Sequence, residues 1–171
     1  VYKRQGVDAI KIGMVNRGEI FNLIFEALKK HQIIEKNIPI ILDPVMFAKG
    51  GFPLLENQAI SALKEFINQI DCILTPNIPE AETLSGLKIS NKDDMIKAAK
   101  IIKINGISRI LLKGGHLNEI DLCDILYDKK DLFEFYSKKI DTNNTHGTGC
   151  TISSAITANL SKGLSLYESV S

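Results

Sequence analysis

Several common features are missing from this 171-residue chain, and each absence removes a class of function. No apolar run approaches the ~20 residues that cross a bilayer. With a net charge of +1 the lysines build no basic face for nucleic acid or a membrane surface. Cysteine is scarce: Cys72, Cys123 and Cys150 are an odd, widely spaced set with no Cys-x-x-Cys pair. That pattern argues against a disulfide framework or structural zinc and for a reducing, cytoplasmic setting. Internal repeats, low-complexity tracts and linkers are absent as well, so residues 1–171 read as a single domain. Hydrophobic residues at 44% against 24% charged are enough for a real core. Val1 is not methionine and Ser165–Ser171 reads as the opening turns of a helix, so the chain is expected to be an internal piece of a longer protein.

Apolar runs alternate with amphipathic stretches along the chain. Val7–Val15 reads as a strand that delivers Gly13 and Met14 to a loop, and Glu19–Gln32 as a helix with Ile20, Leu23, Ile24, Ala27 and Leu28 on its apolar face. Pro39–Asp43 is a continuous apolar run with an acid at its C-terminal end, the mark of a buried parallel strand. The loop Pro44–Gly51, with Lys49 and Gly50, is expected to be mobile. A helix over Leu55–Gln69 and a strand over Asp71–Pro76 follow. Asn77-Ile78-Pro79-Glu80 has the form of a capped helix start, and capping is the better reading of Asn77 and Glu80 taken alone. Lys92–Asn105 reads as a helix ended by Gly106, and Arg109–Lys113 as a buried strand leading to Gly114-Gly115-His116. Leu122–Tyr127 and Leu132–Tyr136 read as a hairpin. This order predicts an α/β fold, a mainly parallel central sheet with helices on both faces, whose ligands bind over the C-terminal strand ends.

The stretch Asn144–Gly163 carries the strongest local signal. Gly147 and Gly149 flank Thr148, so the backbone can turn sharply and gather N–H groups at the start of a helix. From Cys150 a helix is expected, with Ile152, Ile156 and Leu160 on one stripe, small residues Ser153, Ser154, Ala155 and Ala158 beside it, and Gly163 as its C-cap. Such a helix start favours an anion, and also a thiolate at Cys150. On spacing alone, a phosphate site and a glycine turn before an ordinary core helix stand level. A Walker A loop is excluded, and a dinucleotide fingerprint would need glycine where Ile152 stands.

Four segments in this order and spacing carry a family resemblance: Asp43-Pro44-Val45-Met46, Thr75-Pro76-Asn77-Ile78-Pro79-Glu80-Ala81-Glu82, Leu112-Lys113-Gly114-Gly115-His116 and Asn144-Thr145-His146-Gly147-Thr148-Gly149-Cys150-Thr151. Together they resemble hydroxymethylpyrimidine/phosphomethylpyrimidine kinase, the thiamine-biosynthesis member of the ribokinase superfamily. The likeness runs from about Asp8 to Leu166. It implies a ribokinase-like fold truncated at both ends, inactive as a fragment. The full-length protein would phosphorylate 4-amino-5-hydroxymethyl-2-methylpyrimidine and then its monophosphate, using ATP and Mg²⁺. The implied partners are small molecules alone, with a homodimer as a candidate assembly of the full-length protein.

Carried over, Gly147, Thr148, Gly149 and the Cys150 N–H resemble the hole that holds the transferring phosphoryl group, and Cys150 the base. Asn77, Lys113, Gly115 and Thr148 fall on the nucleotide side, Asp43 and Glu80 beside the metal, and Met14 and Val45 at the pyrimidine. His116 and His146 receive no role, and Cys72 and Cys123 read as inert core. The alternatives are a pyridoxal kinase of the same superfamily and an inactive nucleotide-binding remnant. A subset of the pyridoxal kinases carries a second cysteine where this chain has Ala48.

Overall fold

The computed structural model describes residues 6–48, 51–104, 106–115, 117, 121–142 and 147–171. The elements run β1 (Ile10–Ile12), α1 (Gly18–Lys30), β2 (Ile40–Leu42), α2 (Asn57–Gln69), β3 (Ile73–Leu74), α3 (Ile78–Ser85), α4 (Lys92–Ile104), β4 (Arg109–Leu112), β5 (Asp121–Asp128), β6 (Asp131–Lys138), α5 (Thr148–Ser161) and α6 (Leu166–Val170). Lys49, Gly50, His116 and Asn144–His146, singled out from the sequence, lie outside the described residues.

The six strands form one sheet in chain order, β1 to β4 parallel and the β5–β6 hairpin antiparallel at one edge. Parallel crossovers that advance in one direction and keep one hand must put their helices on one face of the sheet. The core follows that rule. Ile40, Leu42, Leu74, Ile110 and Leu112 face α1 to α4 in one large cluster. The intervening Ile41, Ile73, Leu111 and Leu126 face the other way, onto Ile156 of α5 and Leu166 of α6. Alternate residues of each strand therefore serve separate cores, which is why the strands read as continuous apolar runs.

Local sequence accounts for most element ends. Glu80 and Asn77 close a reciprocal capping box on α3, with proline in its first turn. At the far end of α5, Gly163 has φ +86° one residue beyond the C-cap Lys162; its N–H reaches the Leu160 carbonyl at 3.0 Å, and that of Leu164 reaches Asn159 at 3.3 Å.

Two helix faces differ from expectation. On α1 the buried residues are Phe21 and Leu28, with Ile24 and Phe25 between them, whereas Leu23 is 69% exposed and Ala27 faces solvent. The stripe is rotated by about one position because Phe21 packs on Phe66 of α2, ring centroids 5.3 Å apart. On α5 the buried residues are Ser153 and Ile156, and Ile152 is 37% exposed. This helix also starts at Thr148, not Cys150.

Candidate active site

The alternation that splits the core also builds the site. Continuing each strand past its C-terminal end keeps odd positions on the α5 face: Ile41 leads to Asp43, Ile73 to Thr75, Leu111 to Lys113. Polar groups thus take over from apolar ones on that face at the rim, where α5 begins.

Asp43 lies at the centre, 2% exposed. Its Oδ1 accepts from Lys113 Nζ at 3.2 Å and from Thr75 Oγ1 at 3.4 Å, and its Oδ2 from Ser153 Oγ of α5 at 3.2 Å. A charged acid this deeply buried needs such partners. The Lys113 side chain, 11% exposed, also lies against the first turn of α5: a Cβ built on Gly149 would stand 3.0 Å from Nζ. The two glycines therefore do different work. Gly147 is the N-cap and needs its left-handed φ of +81°, with open space around it, whereas Gly149 is helical and leaves room for the lysine.

Among the described residues the first bond of α5 runs from Thr151 N–H to the Gly147 carbonyl, and the N–H groups of Gly149 and Cys150 belong to the open first turn of the helix. Lys113 and these amides make one cationic pole. Thr148 and the Cys150 thiol are exposed beside it. Cys72 and Cys123 are buried; burial pushes the Cys72 thiol up to about 12 and raises that of Cys123.

Glu80 is the second acid, also 2% exposed. Its Oε2 accepts from the Asn77 N–H at 2.9 Å and its Oε1 from the Met46 N–H at 3.3 Å, tying α3 to the turn after β2. Burial raises its carboxyl above the ordinary carboxylate value, and the charge of Asp43 adds to this against the pull of both amides and Lys113. Asn77 pairs with Lys113 in an isolated parallel bridge, and the Lys113 N–H reaches the Pro76 carbonyl at 2.9 Å.

Two buried acids against one lysine leave a negative excess that suits a divalent cation. Magnesium keeps several waters and needs only one or two carboxylates, so Asp43 and Glu80 fit it as acids acting through water. Among the described residues no group of three or more His, Cys, Asp or Glu could hold a metal directly.

Of the remaining candidates, Gly115 is exposed after β4, Met14 is 56% exposed after β1, and Val45 is half-buried after the neighbouring β2. Sequence reasoning missed three polar residues. Thr75 and Ser153 bind Asp43, and Asp124 of β5 accepts from the Gly114 N–H at 2.7 Å. The available signal was positional: each is polar on a face that is otherwise apolar.

A family model described as phosphomethylpyrimidine kinase matches residues 1–171. The chain is 42% identical over 164 residues to the thiamine biosynthesis bifunctional protein ThiED of Geobacter sulfurreducens, covering 96% of this chain and 33% of that protein. It is 37% identical over 162 residues to hydroxymethylpyrimidine/phosphomethylpyrimidine kinase of Bacillus subtilis, covering 94% and 58%. It thus spans less than two thirds of either relative. Among solved structures, an ADP complex of Bacillus subtilis pyridoxal kinase superimposes with a TM-score of 0.87 at 37% identity, covering 99% of this chain and 63% of that one. Phosphomethylpyrimidine kinase from Clostridium difficile gives 0.81 at 38% identity, covering 99% and 67%. Among the described residues, no helix is long and apolar enough to cross a membrane.

Proposed function

The chain belongs to the phosphomethylpyrimidine kinase family, with a ribokinase-like α/β fold. From that premise we propose that the full-length protein transfers the γ-phosphoryl group of ATP to the hydroxymethyl oxygen of 4-amino-5-hydroxymethyl-2-methylpyrimidine, and then a second phosphoryl group to the monophosphate. The observation that carries this reading is the cationic pole: Lys113, held by Asp43, lies against the opening of α5 one residue from the exposed thiol of Cys150.

In this reading the first-turn N–H groups of Gly149 and Cys150 and the ammonium of Lys113 receive the transferring phosphoryl group. Gly147 shapes the turn, and Thr148 and Gly115 border the phosphates. Cys150, in the first turn, takes the proton of the substrate hydroxyl as its oxygen becomes the nucleophile. Asp43 is the fixed counter-ion of Lys113, and Glu80 with Asn77 holds the strand ends in register. Magnesium, when bound, would neutralise phosphate charge near Asp43 and Glu80. Met14 and Val45, on neighbouring strand ends, border the pyrimidine.

The likeness to pyridoxal kinases favours one second reading, pyridoxal as the substrate. Steady-state assays of the full-length protein on both substrates decide between them. The pyrimidine is expected to give a kcat/KM about tenfold or more above that of pyridoxal. The reverse order would replace the substrate, and no turnover of either would leave a nucleotide-binding remnant.

A further inference from the structure

Where β4 leaves the sheet, one carboxylate replaces a backbone partner. The antiparallel register of β4 and β5 pairs Leu112 with Ile125 and Leu111 with Leu126, so it sets Lys113 opposite Asp124. Both lie on the α5 face, at the spacing where cross-strand side chains interact. The ladder stops at Leu112, however: the Lys113 N–H turns to the Pro76 carbonyl, and the next amide on the β5 side, Gly114 N–H, donates to Asp124 Oδ1 at 2.7 Å. A side chain on Gly114 would run into the Cys123 carbonyl oxygen, so the segment crosses β5 closely at this point. The Leu117 N–H then returns to the Gly114 carbonyl at 2.9 Å and closes a turn around Gly115.

We infer that Asp124 is a positioning residue for nucleotide binding: its carboxylate pins the Lys113–Gly115 segment as it peels off β5, and so aims Lys113 across the rim at Asp43 and the opening of α5. Asp124 reaches no reacting atom itself. It fixes the backbone on one side of Lys113, while the bridge to Asn77, the N-cap of α3, holds the other. A charged acceptor on a backbone amide is among the stronger hydrogen bonds available to do this. The inference rests on reading Lys113–Gly115 as the nucleotide side of the site.

The test is steady-state kinetics of the full-length enzyme carrying Asp124→Ala, Asp124→Asn and, separately, Lys113→Ala. Asp124→Ala is expected to raise KM for ATP about tenfold, the loss of one charge-assisted hydrogen bond, while KM for the pyrimidine stays within about twofold. Asp124→Asn keeps a carbonyl acceptor for Gly114 and is expected to recover most of the ATP affinity. If the alanine variant fails to fold, Asp124→Ser carries the same expectation, its hydroxyl being too short to reach the amide. An unchanged KM for ATP in Asp124→Ala, or an asparagine variant as impaired as alanine, overturns the inference. If Lys113→Ala itself leaves KM for ATP unchanged, the underlying reading of the segment fails instead.

Discussion

The two rims of the sheet treat charge in opposite ways. At the N-terminal rim Asp71 meets Arg109 Nη2 at 2.5 Å and Ser108 Oγ at 3.1 Å, with the Asp71 side chain 68% exposed. Partial burial pushes that carboxyl up, but the Arg109 guanidinium and the Ser108 hydroxyl outweigh it and hold it below the ordinary 3.8. At the C-terminal rim Asp43 and Glu80 are buried and Asp124 is half-buried, all three within the influence of Lys113. There burial prevails, and the carboxyls of Glu80 and Asp124 are raised. One rim balances its charges locally; the other keeps more acid than it neutralises, beside a helix end that attracts anions. An arrangement of the second kind costs stability by itself, a cost that the cation and phosphate of the proposed function would offset.

The sharpest way to separate the rims is Cys150→Ala in the full-length protein. The thiol is exposed, so thermal unfolding should move by less than about 0.5 kcal/mol, whereas the rate should fall by about 10²–10⁴ if the thiol is the base. Cys150→Asp should keep more activity than Cys150→Ser. Alkylation adds a check without mutation: Cys150 should react well before the buried Cys72 and Cys123, and the pyrimidine should protect it. Near-normal turnover of Cys150→Ala would remove the thiol from the chemistry.

A middle-sized effect is expected at Glu80→Gln. Glutamine offers one acceptor oxygen where two amides, Asn77 and Met46, now find one each, so urea denaturation should show a loss of about 1–3 kcal/mol. The Mg²⁺ concentration needed for half-maximal rate should rise as well. An unchanged magnesium requirement would return Glu80 to capping alone.

The smallest effect concerns pH and has opposite signs at the two rims. Asp71 is depressed, so its contribution is present above the unfolded value of 3.8 and is lost as pH falls through the lower folded value. Solvent screening of so exposed a pair keeps it to about 0–1 kcal/mol. Asp124 is raised, so its ionisation opposes folding fully above the folded value, and that opposition fades as pH drops toward 3.8. Comparing wild type with Asp71→Asn and with Asp124→Asn by denaturant unfolding, from about pH 7 down to about 3, should show the stability advantage of wild type shrinking in the first pair and growing in the second. Curves of the same sign would erase the contrast between the rims.

Much of this arrangement is legible in the sequence alone. The continuous apolar runs at Ile40–Leu42 and Arg109–Leu112, and the Asn77–Glu80 box, point to strands, helix starts and rim positions through local chemistry alone. The partners of Asp43 did not show themselves, because Ser153 is 110 residues away and looks like one more small residue in a helix. Asp124 was hidden for a related reason: its place depends on the register between β4 and β5, and no local pattern encodes that register. The expected stripes hold at Ile20, Ile24, Leu28, Ile156 and Leu160 and fail at Leu23 and Ala27, where α1 turns Phe21 and Phe25 inward instead, and at Ile152, where α5 turns Ser153 toward Asp43; only packing on a neighbour chooses between such adjacent positions.

The strand order has a consequence for how the molecule comes into being. Each strand from β2 to β6 docks beside the one before it in the chain, so the large core on the α1–α4 face can assemble stepwise from β1 onward. By contrast α5 must reach back past the sheet to β1 and β2, with Ser153 bonded to Asp43 110 residues away. Long closures of this kind slow folding, so the rim where α5 meets Asp43 is expected to form after the α1–α4 face. On the proposed function, a nucleotide that binds there would stabilise the closed rim by mass action.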